Sequence, residues 1–470
     1  MKTENNLDTD QIRGLVWRLA IPSMLAQFVS VFYSIVDRMY IGNIAGTGEI
    51  ALAGVGICGP IVTMISSVAF LVGVGGSPLM SIRLGEKNQR AASQILANCF
   101  LLLTVLSAVI TIISFMVKEK LLMWFGASEA AFPYANEYIS ICLLGTVFAL
   151  LSIGMNQFII CQGFAKTGMK SVLMGAVCNI VLDPVFMFVF GLGVRGAAIA
   201  TVLSQMVSCA YVLRFLFGDK PPIRITFGHY DWQVMKRVLM LGLSPFLIIA
   251  FDNVLIISLN MVIRRYGGES QGDMLLTCMT IVQSFMLMVT MPLGGITGGT
   301  QTILGYNFGA GRPDRIKKAA FHISGLALGF TTIMFILAHM VPQYFVRIFT
   351  KNEAYVELTV WAIKIYTLGI IPLALQYAVV DGFVGMGIAK VAISLSMFRK
   401  VIFLGGAVLI PVWFGIERIF YTEPVSDFVS VVVSLTVTLL TFERVIKKRE
   451  AEIRLHPEVS SAVDTSGKSI

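Results

Sequence analysis

Four aspartates stand inside or beside long apolar stretches of this 470-residue chain, and they are the residues best placed to do chemistry there. They are Asp37, Asp183, Asp252 and Asp381. A carboxyl group in an apolar, membrane-length segment is costly unless it faces water or a partner, so each is a candidate functional residue. Burial penalises the charged form of a carboxyl group and makes protonation near neutral pH possible, while carboxylate oxygens also suit hard cations such as Na+.

The spacing of polar residues around two of these aspartates favours shared helix faces. Tyr33 precedes Asp37 by four residues, and Asn179 precedes Asp183 by four. Residues four apart lie on the same face of a helix, so a hydroxyl and an amide each accompany a carboxyl group. Pro184 cannot donate a backbone hydrogen bond and is expected to loosen the helix beside Asp183.

Structural interpretations stand beside these functional ones. Asp37 could mark the water-exposed end of its helix and pair with a nearby base such as Arg38. Asp252 could contact a substrate or an ion, or could form a structural polar pair with Asn253 or Asn260. Asp381 is expected near the cytoplasmic end of its span.

Other chemistries have little support in the sequence. The seven cysteines show no CxxC spacing and the four histidines are scattered, so neither a metal cluster nor an enzyme active site is predicted, and no cofactor is expected. Paired glycines lack the Lys and Ser or Thr of a phosphate-binding loop, which disfavours ATP as an energy source. These glycines instead predict close helix approach, and they are Gly73, Gly75, Gly76, Gly294, Gly295, Gly298 and Gly299.

Composition places the chain among membrane proteins. Hydrophobic residues make up 56% of the sequence, charged residues 13%, and the mean hydropathy is +0.80. A hydrocarbon layer about 30 Å thick needs about 20 apolar residues per helical crossing. The sequence predicts an all-α polytopic membrane protein with twelve transmembrane helices, near residues 17–42, 52–82, 93–117, 134–160, 171–190, 197–217, 238–263, 273–305, 319–340, 356–384, 392–413 and 425–442.

Charge asymmetry predicts the orientation in the cell (inner or plasma) membrane. About 23 Lys and Arg residues fall on one face, in loops such as RLGEKNQR and GAGRPDRIKK, against about 8 on the other. Both termini are therefore predicted to be cytoplasmic. The net charge of +9 fits basic loops beside anionic lipid headgroups and requires no nucleic acid. After Phe442 the chain turns polar and is expected to be disordered.

The two halves of the chain resemble each other. AIPSML near Pro22 matches LSPFLI near Pro245, the segment at Gly75 matches that at Gly298, and QGFAKTG matches DGFVGMG, at a nearly constant offset of about 220 residues. An even number of spans per half predicts two six-helix bundles related by a pseudo-two-fold axis along the membrane normal. The predicted divisions are an N-terminal bundle at 1–217, a linker at 218–237, a C-terminal bundle at 238–442 and a polar tail at 443–470.

These segments resemble the multidrug and toxin extrusion (MATE) transporters of the MOP flippase superfamily. The likeness covers residues 14–445 and rests on IPSMLAQFVSVFYSIVDRMYIG, on RLGEKNQRAA and, most specifically, on CQGFAKTGMKSVLMGAVCNIVLDPVFMFVFGLGVRGAAIATVLSQ. The resemblance implies two bundles arranged as a V. It also implies export of cationic, lipophilic compounds driven by entry of H+ or Na+, by a protein expected to be a monomer.

The resemblance also implies which residues form the site. The N-terminal polar site would comprise Tyr33, Asp37, Asn156, Asn179, Asp183 and Thr201. Na+, if it is the coupling ion, would be held by Asp37, Asn179, Asp183 and Thr201. Asp252 lies near the position of a coupling Glu in one branch of the family, but LGIIPLALQ in span ten lacks that branch's second acidic residue.

Two rival functions remain open at this point. A flippase for lipid-linked saccharides of the same superfamily would share the repeat, but it would place several bases in the cavity to meet a pyrophosphate. An integral-membrane enzyme would need a cluster of catalytic groups at one membrane face. The 24 Met and 32 Phe residues offer polarizable and aromatic surface for flat cations, although most are expected to pack or face lipid.

Overall fold

The computed structural model of the chain describes residues 5–44, 46, 48–125 and 127–455. The described residues are almost entirely helical and contain no strand. Within this described part of the chain, eleven helical segments are long and apolar enough to cross a membrane, and two shorter helices joined at a 57° bend provide a twelfth crossing. The prediction of an all-α protein with twelve spans is confirmed.

Between residues 5 and 217, the residues that the structure describes form seven helices, and two of these make up the fourth span. They are α1 (Ile12–Gly42), α2 (Gly48–Gly85), α3 (Gln89–Trp124), α4 (Phe132–Leu144), α5 (Thr146–Ile160), α6 (Ala165–Pro184) and α7 (Gly193–Phe217). A π-helical turn, Val185–Val189, follows α6 directly after its proline. The expected loosening of the helix at Pro184 therefore takes the form of a wider turn.

The C-terminal half begins with a very long helix that carries two of the twelve spans, Trp232–Ile263 and Met274–Gly309. Its helices are α8 (Trp232–Gly309), α9 (Pro313–Met340), α10 (Pro342–Val346), α11 (Glu353–Tyr366), α12 (Ile370–Gly385), α13 (Ala389–Phe414) and α14 (Thr422–Leu455). The 3-10 turn Thr367–Gly369 joins α11 to α12 within the tenth span, and the 3-10 turn Ile416–Tyr421 precedes α14.

Two boundaries differ from the predicted spans. Residues 264–272, expected as a link between spans seven and eight, are helical and belong to α8; they contain no proline to interrupt backbone hydrogen bonding. The chain after Phe442 was expected to be disordered, and for residues 443–455 this is wrong because α14 continues to Leu455. Residues 456–470 lie outside the described part of the chain.

Tertiary contacts explain why α14 continues so far. Arg449 forms an ion pair with Glu86, at the end of α2. Its guanidinium also donates hydrogen bonds of 3.2 Å to the carbonyl oxygens of Phe308 and Gly309, at the end of α8. Carbonyl groups in the last turn of a helix are left without the usual intrahelical donor, so a basic side chain there is stabilising. Arg449 thus ties the two halves together.

The halves meet where α1 and α2 pack against α8. A methyl group added at Gly242 would overlap the Leu71 backbone, and one added at Gly295 would lie 2.7 Å from the Ser23 carbonyl oxygen. Such distances are too short for any side chain, so the helices are in backbone contact. Of the seven glycines predicted to allow close approach, Gly73, Gly75 and Gly295 have another helix backbone this close, Gly76 and Gly299 have side-chain atoms this close, and Gly294 and Gly298 have neither.

The contacts between the halves lie towards the end that carries the basic loops. There the N-terminal segment bridges the two halves: the Asn5 side chain donates to the Gly163 carbonyl oxygen at 2.8 Å, and Arg315 donates to the Leu7 carbonyl oxygen at 3.1 Å. Arg312 pairs with Asp8. The apex of the V is therefore held by polar contacts as well as by helix packing.

Candidate functional site

Helices α1 and α6 bring two aspartates together inside the N-terminal half. The carboxyl groups of Asp37 and Asp183 lie within hydrogen-bonding range of each other. Asp183 is fully buried, and Asp37 is partly buried. The two residues are far apart in sequence, so their approach is produced by packing of the first span against the fifth.

An amide from the same face of α6 holds one of the carboxylates. The Asn179 side-chain nitrogen donates to Asp183 Oδ1 at 3.1 Å, as the spacing of four residues predicts. The same nitrogen lies 3.5 Å from the Thr201 hydroxyl on α7. The structure thus gathers Asp37, Asn179, Asp183 and Thr201 from three helices.

Three oxygen atoms in this group lack a donor. Asp37 Oδ1, Asn179 Oδ1 and Asp183 Oδ2 are buried and accept no hydrogen bond from any residue that the structure describes. Buried polar atoms are normally paired, and two adjacent carboxylates cannot both stay ionised without compensation. A proton shared between the carboxyl groups, or a hard cation among these oxygens, would meet both needs.

Tyr33 and Arg38 lie on either side of Asp37 in different surroundings. Tyr33 is one helical turn earlier and is close enough to both Asp37 and Asp183 to interact with them electrostatically. Arg38 is exposed, and within the described chain no ion pair joins it to Asp37. The geometry therefore favours the interpretation of Asp37 as a partly buried partner of Asp183 over that of a surface ion pair.

Asn156 is not brought to the carboxyl pair. Its Oδ1 accepts a hydrogen bond from the Ser171 hydroxyl at 3.3 Å. Ser171 lies 12 residues before Asp183, which is about 18 Å along a helix. Asn156 instead joins α5 to α6 near the start of α6, and its part in the site stays a prediction.

Tyr138 is a neighbour of the site that the sequence patterns did not single out. It is buried in α4, close to Thr201, and it lies in electrostatic range of Asp37. The sequence signal that could have found it is a tyrosine, a polar aromatic residue, near the end of FPYANEYIS in the first part of the fourth span. Tyr138 adds a fourth helix to the polar cluster.

In the C-terminal half, Asp252 has a basic partner. Its carboxylate forms an ion pair with Lys400 of α13, and the Lys400 side chain is 10% exposed. The Asn253 side chain donates to the Ile249 carbonyl oxygen at 3.0 Å, so no pair with Asp252 is formed there. The Asn260 side chain lies outside the described residues.

Asp381 is fully satisfied by side chains of α8. It accepts hydrogen bonds from the Thr297 hydroxyl at 2.5 Å and from the Gln301 amide at 3.0 Å. Both donors belong to the part of α8 that packs against α1, which places Asp381 towards the basic-loop end, as expected. Its two oxygens leave no free acceptor of the kind found in the N-terminal site.

A second charged group in the C-terminal half was missed from the sequence. Arg399 of α13 donates to Glu423 Oε1 at 2.5 Å and to Asp427 Oδ1 at 2.9 Å, both on α14. Arg399, Lys400 and Asp427 fall inside the predicted spans 392–413 and 425–442. The reasoning that made Asp37 a candidate, namely that a charged group inside an apolar span is costly unless it has a partner or faces water, applied equally to them.

Comparison with known proteins identifies the family. The MatE family model matches residues 22–185 and again residues 249–409. The chain belongs to the MATE family. The two matches cover more than half of the chain, and one lies in each half, as the internal repeat of this MATE protein predicts.

Relatives and solved structures agree with this membership. The chain is 24% identical over 366 residues to the FAD transporter of Shewanella oneidensis, covering 76% of this chain and 78% of the relative. It is 21% identical over 406 residues to the multidrug export protein MepA of Staphylococcus aureus, covering 85% and 86%. The crystal structure of MATE in complex with MaD3S matches with a TM-score of 0.88 at 22% identity, over 95% of this chain and 100% of that one. The chain is thus a multi-pass membrane protein of a transporter family with the two-lobed MATE fold.

Proposed function

We propose that this MATE protein is a secondary active exporter of cationic, lipophilic compounds, working by alternating access in exchange for H+ or Na+. Family membership and the multidrug export relatives support the transport activity. The observation that carries the coupling is the buried pair of Asp37 and Asp183, with three acceptor oxygens that have no donor among the described residues. Such a site takes up a cation.

The coupling follows from the charge of the pair. Without a bound proton or cation, the two carboxylates repel each other in surroundings that solvate them poorly. Uptake of one positive charge removes this repulsion and allows the helices around the site to close. The cation drives the transport cycle if it binds the inward-facing and outward-facing conformations with different affinities, since a ligand shifts an equilibrium only by that difference.

Both candidate ions fit the residues present. A proton would sit between the carboxyl groups, whereas Na+ would draw on Asp37, Asn179, Asp183 and Thr201 oxygens. The number of coupling ions that enter for each drug molecule exported then decides whether the membrane potential helps to drive transport. A membrane potential contributes about 2.3 kcal/mol per charge per 100 mV, so one-for-one exchange with a monovalent drug gains nothing from voltage, and two entering charges gain that amount.

Export of an anionic compound is a second candidate, because one relative is named an FAD transporter. A phosphate-bearing substrate, like the pyrophosphate lipid of a flippase, needs basic side chains free to bind it. In this chain the buried bases Arg399 and Lys400 are both paired with carboxylates. The arrangement therefore favours cations.

The proposed orientation places both termini in the cytoplasm, with the apex of the V on that side. The basic loops and the even number of spans support it. A reporter that fluoresces only in the cytoplasm, fused after Ile470, is expected to be bright when expressed with the full chain. A dark but stably expressed fusion would contradict this orientation.

Transport in proteoliposomes tests the proposed function directly. An inward-directed H+ or Na+ gradient, imposed separately, is expected to drive efflux of an ethidium-like dye by the purified protein. FAD in place of the dye tests the second candidate. The antiporter assignment fails if neither gradient changes the rate, or if dye moves only when ATP is added.

A further inference from the structure

A buried charged cluster in the C-terminal half has no role in the proposed N-terminal coupling site. Arg399 on α13 contacts Glu423 and Asp427 on α14, and the side chains are 12%, 10% and 0% exposed. Tyr366, the last residue of α11, lies against Glu423. Gly369, in the 3-10 turn that follows, is so close that a methyl group there would lie 2.7 Å from Asp427 Cβ.

The cluster has one more acid than base. Arg399 supplies one positive charge to two carboxylates, and the next base along α13, Lys400, is already paired with Asp252. If both acids were ionised, a net negative charge would be buried within the membrane-spanning part of the chain. An uncompensated buried charge is strongly destabilising, so one further positive charge is required.

Asp427 shows where that charge binds. Its Oδ1 accepts from Arg399, whereas its Oδ2 is buried and has no hydrogen-bond partner among the residues that the structure describes. Among the residues that the structure describes, the charged or titratable groups that face Asp427 belong to this cluster or lie directly beside it. They are Glu423 on its own helix, Arg399 and Lys400 on α13, and Tyr366 on α11, with Tyr377 of α12 near Arg399.

We propose that Arg399, Glu423 and Asp427 form a second proton-binding site, in the C-terminal half, with the proton carried on the Asp427 carboxyl group. A proton neutralises the surplus charge without adding a second cation beside the guanidinium, whereas Na+ at the same place would be repelled by Arg399. The described residues also contain no group of three acidic, His or Cys side chains able to hold a metal ion.

The position of the site links the proton to a break in the tenth span. Asp427 packs against the 3-10 turn Thr367–Gly369, which joins α11 to α12. A change in the charge of Asp427 therefore acts on the junction between two helix segments. The transport consequence rests on the proposed function, but proton binding itself does not.

Infrared spectroscopy of the purified protein in lipid nanodiscs tests proton binding without transport. A protonated carboxyl group has its own C=O stretching band, and this band is expected to grow in the unmodified protein as pH falls. Asp427→Asn and Glu423→Gln each leave one carboxylate opposite Arg399, so each balances the charge. Both variants are expected to lose one protonated carboxyl band relative to the unmodified protein.

Two controls separate the sites. Glu353→Gln makes the same chemical change at an exposed surface pair with Arg347 and is expected to keep the band. Asp37→Asn by itself removes a carboxyl group of the N-terminal site, so adding Asp427→Asn to it is expected to cost one further protonated carboxyl band. If Glu423→Gln and Asp427→Asn both retain the full band, the proposal is wrong, and Glu423→Gln decides alone if Asp427→Asn does not fold.

A transport measurement then tests the consequence. In proteoliposomes, the number of protons entering per dye exported is expected to fall by one in Asp427→Asn. An unchanged ratio would overturn the role of the site in transport. Failure of the unmodified protein to use any gradient would instead refute the proposed function and leave the infrared result standing.

Discussion

Replacement of Asp37 by Asn is expected to reduce gradient-driven dye efflux to the rate of protein-free liposomes. The amide keeps the shape of the side chain but cannot bind a proton or carry a charge. Asp37 Oδ1 is one of the three buried acceptors without a donor, so an uncharged group there removes the charge pair on which the proposed cation uptake depends. Efflux is measured in liposomes with equal amounts of each variant.

Asp183→Asn is expected to have a different effect. Asn179 already donates to Asp183 Oδ1, and an amide oxygen at position 183 can keep that bond. Protein yield and fold should therefore be preserved, while the dependence of efflux on the imposed gradient weakens. The comparison of rates with and without the gradient separates lost coupling from lost protein.

Asp381→Asn provides the matched control for both variants. It is the same substitution in a span of the other half, at a carboxylate whose oxygens accept from Thr297 and Gln301. An amide at position 381 can accept from Gln301 and donate to the Thr297 hydroxyl, so efflux should keep its gradient dependence. Full gradient-driven efflux by Asp37→Asn would return Asp37 to a structural role.

The spans were predictable because they depend on local composition. A helix that crosses a hydrocarbon layer needs an uninterrupted run of apolar residues, and such a run is visible in consecutive residues of the sequence. The predicted ends of the helices were less accurate, because a helix can continue past the lipid where another part of the protein forms hydrogen bonds or ion pairs with it. The last helix extends to Leu455, since Arg449 reaches Glu86 and the carbonyls at the end of α8.

The candidate site was predictable only in part. Helix periodicity alone placed Asn179 beside Asp183, and the structure has that hydrogen bond. The approach of Asp37 to Asp183 depends on how α1 packs on α6, which no local pattern encodes, and it was expected from family resemblance. The same resemblance placed Asn156 with them, whereas the structure pairs Asn156 with Ser171.

The ion pairs of the C-terminal half show the limit of reading spans one at a time. Lys400 and Asp252 are 148 residues apart in sequence, and Arg399 is 28 residues from Asp427. A buried base is tolerated only because a carboxylate from another helix meets it. Its partner is therefore a property of tertiary packing, although its presence in an apolar span was visible in the sequence.

Gly242→Ala is expected to prevent the two halves from meeting as they do in this structure. A methyl group at position 242 would overlap the carbonyl oxygen of Leu71. The position of the methyl group is fixed by the backbone of α8 and that of the oxygen by the backbone of α2, so neither can rotate away. Overpacking typically costs about 1–3 kcal/mol, and an overlap with backbone atoms lies at the upper end of this range. A penalty of about 3 kcal/mol on one conformation changes its ratio to another by about 150-fold.

Hydrogen exchange at backbone amides measures this loss of contact without added labels. In Gly242→Ala, the segments of α2 and α8 that pack together near Leu71 and Gly242 are expected to exchange faster, and dye efflux should fall. Gly298→Ala is the matched control, because it adds the same methyl group to the same helix at a position with no atom within 4 Å. Alanine is also the better helix former, so this control should be at least as stable as the unmodified protein.

Unchanged exchange and efflux in Gly242→Ala would mean that the contact between α2 and α8 is not required in either transport conformation. The apex of the V would then be held by the polar contacts of Arg449 and the N-terminal segment instead of by helix packing.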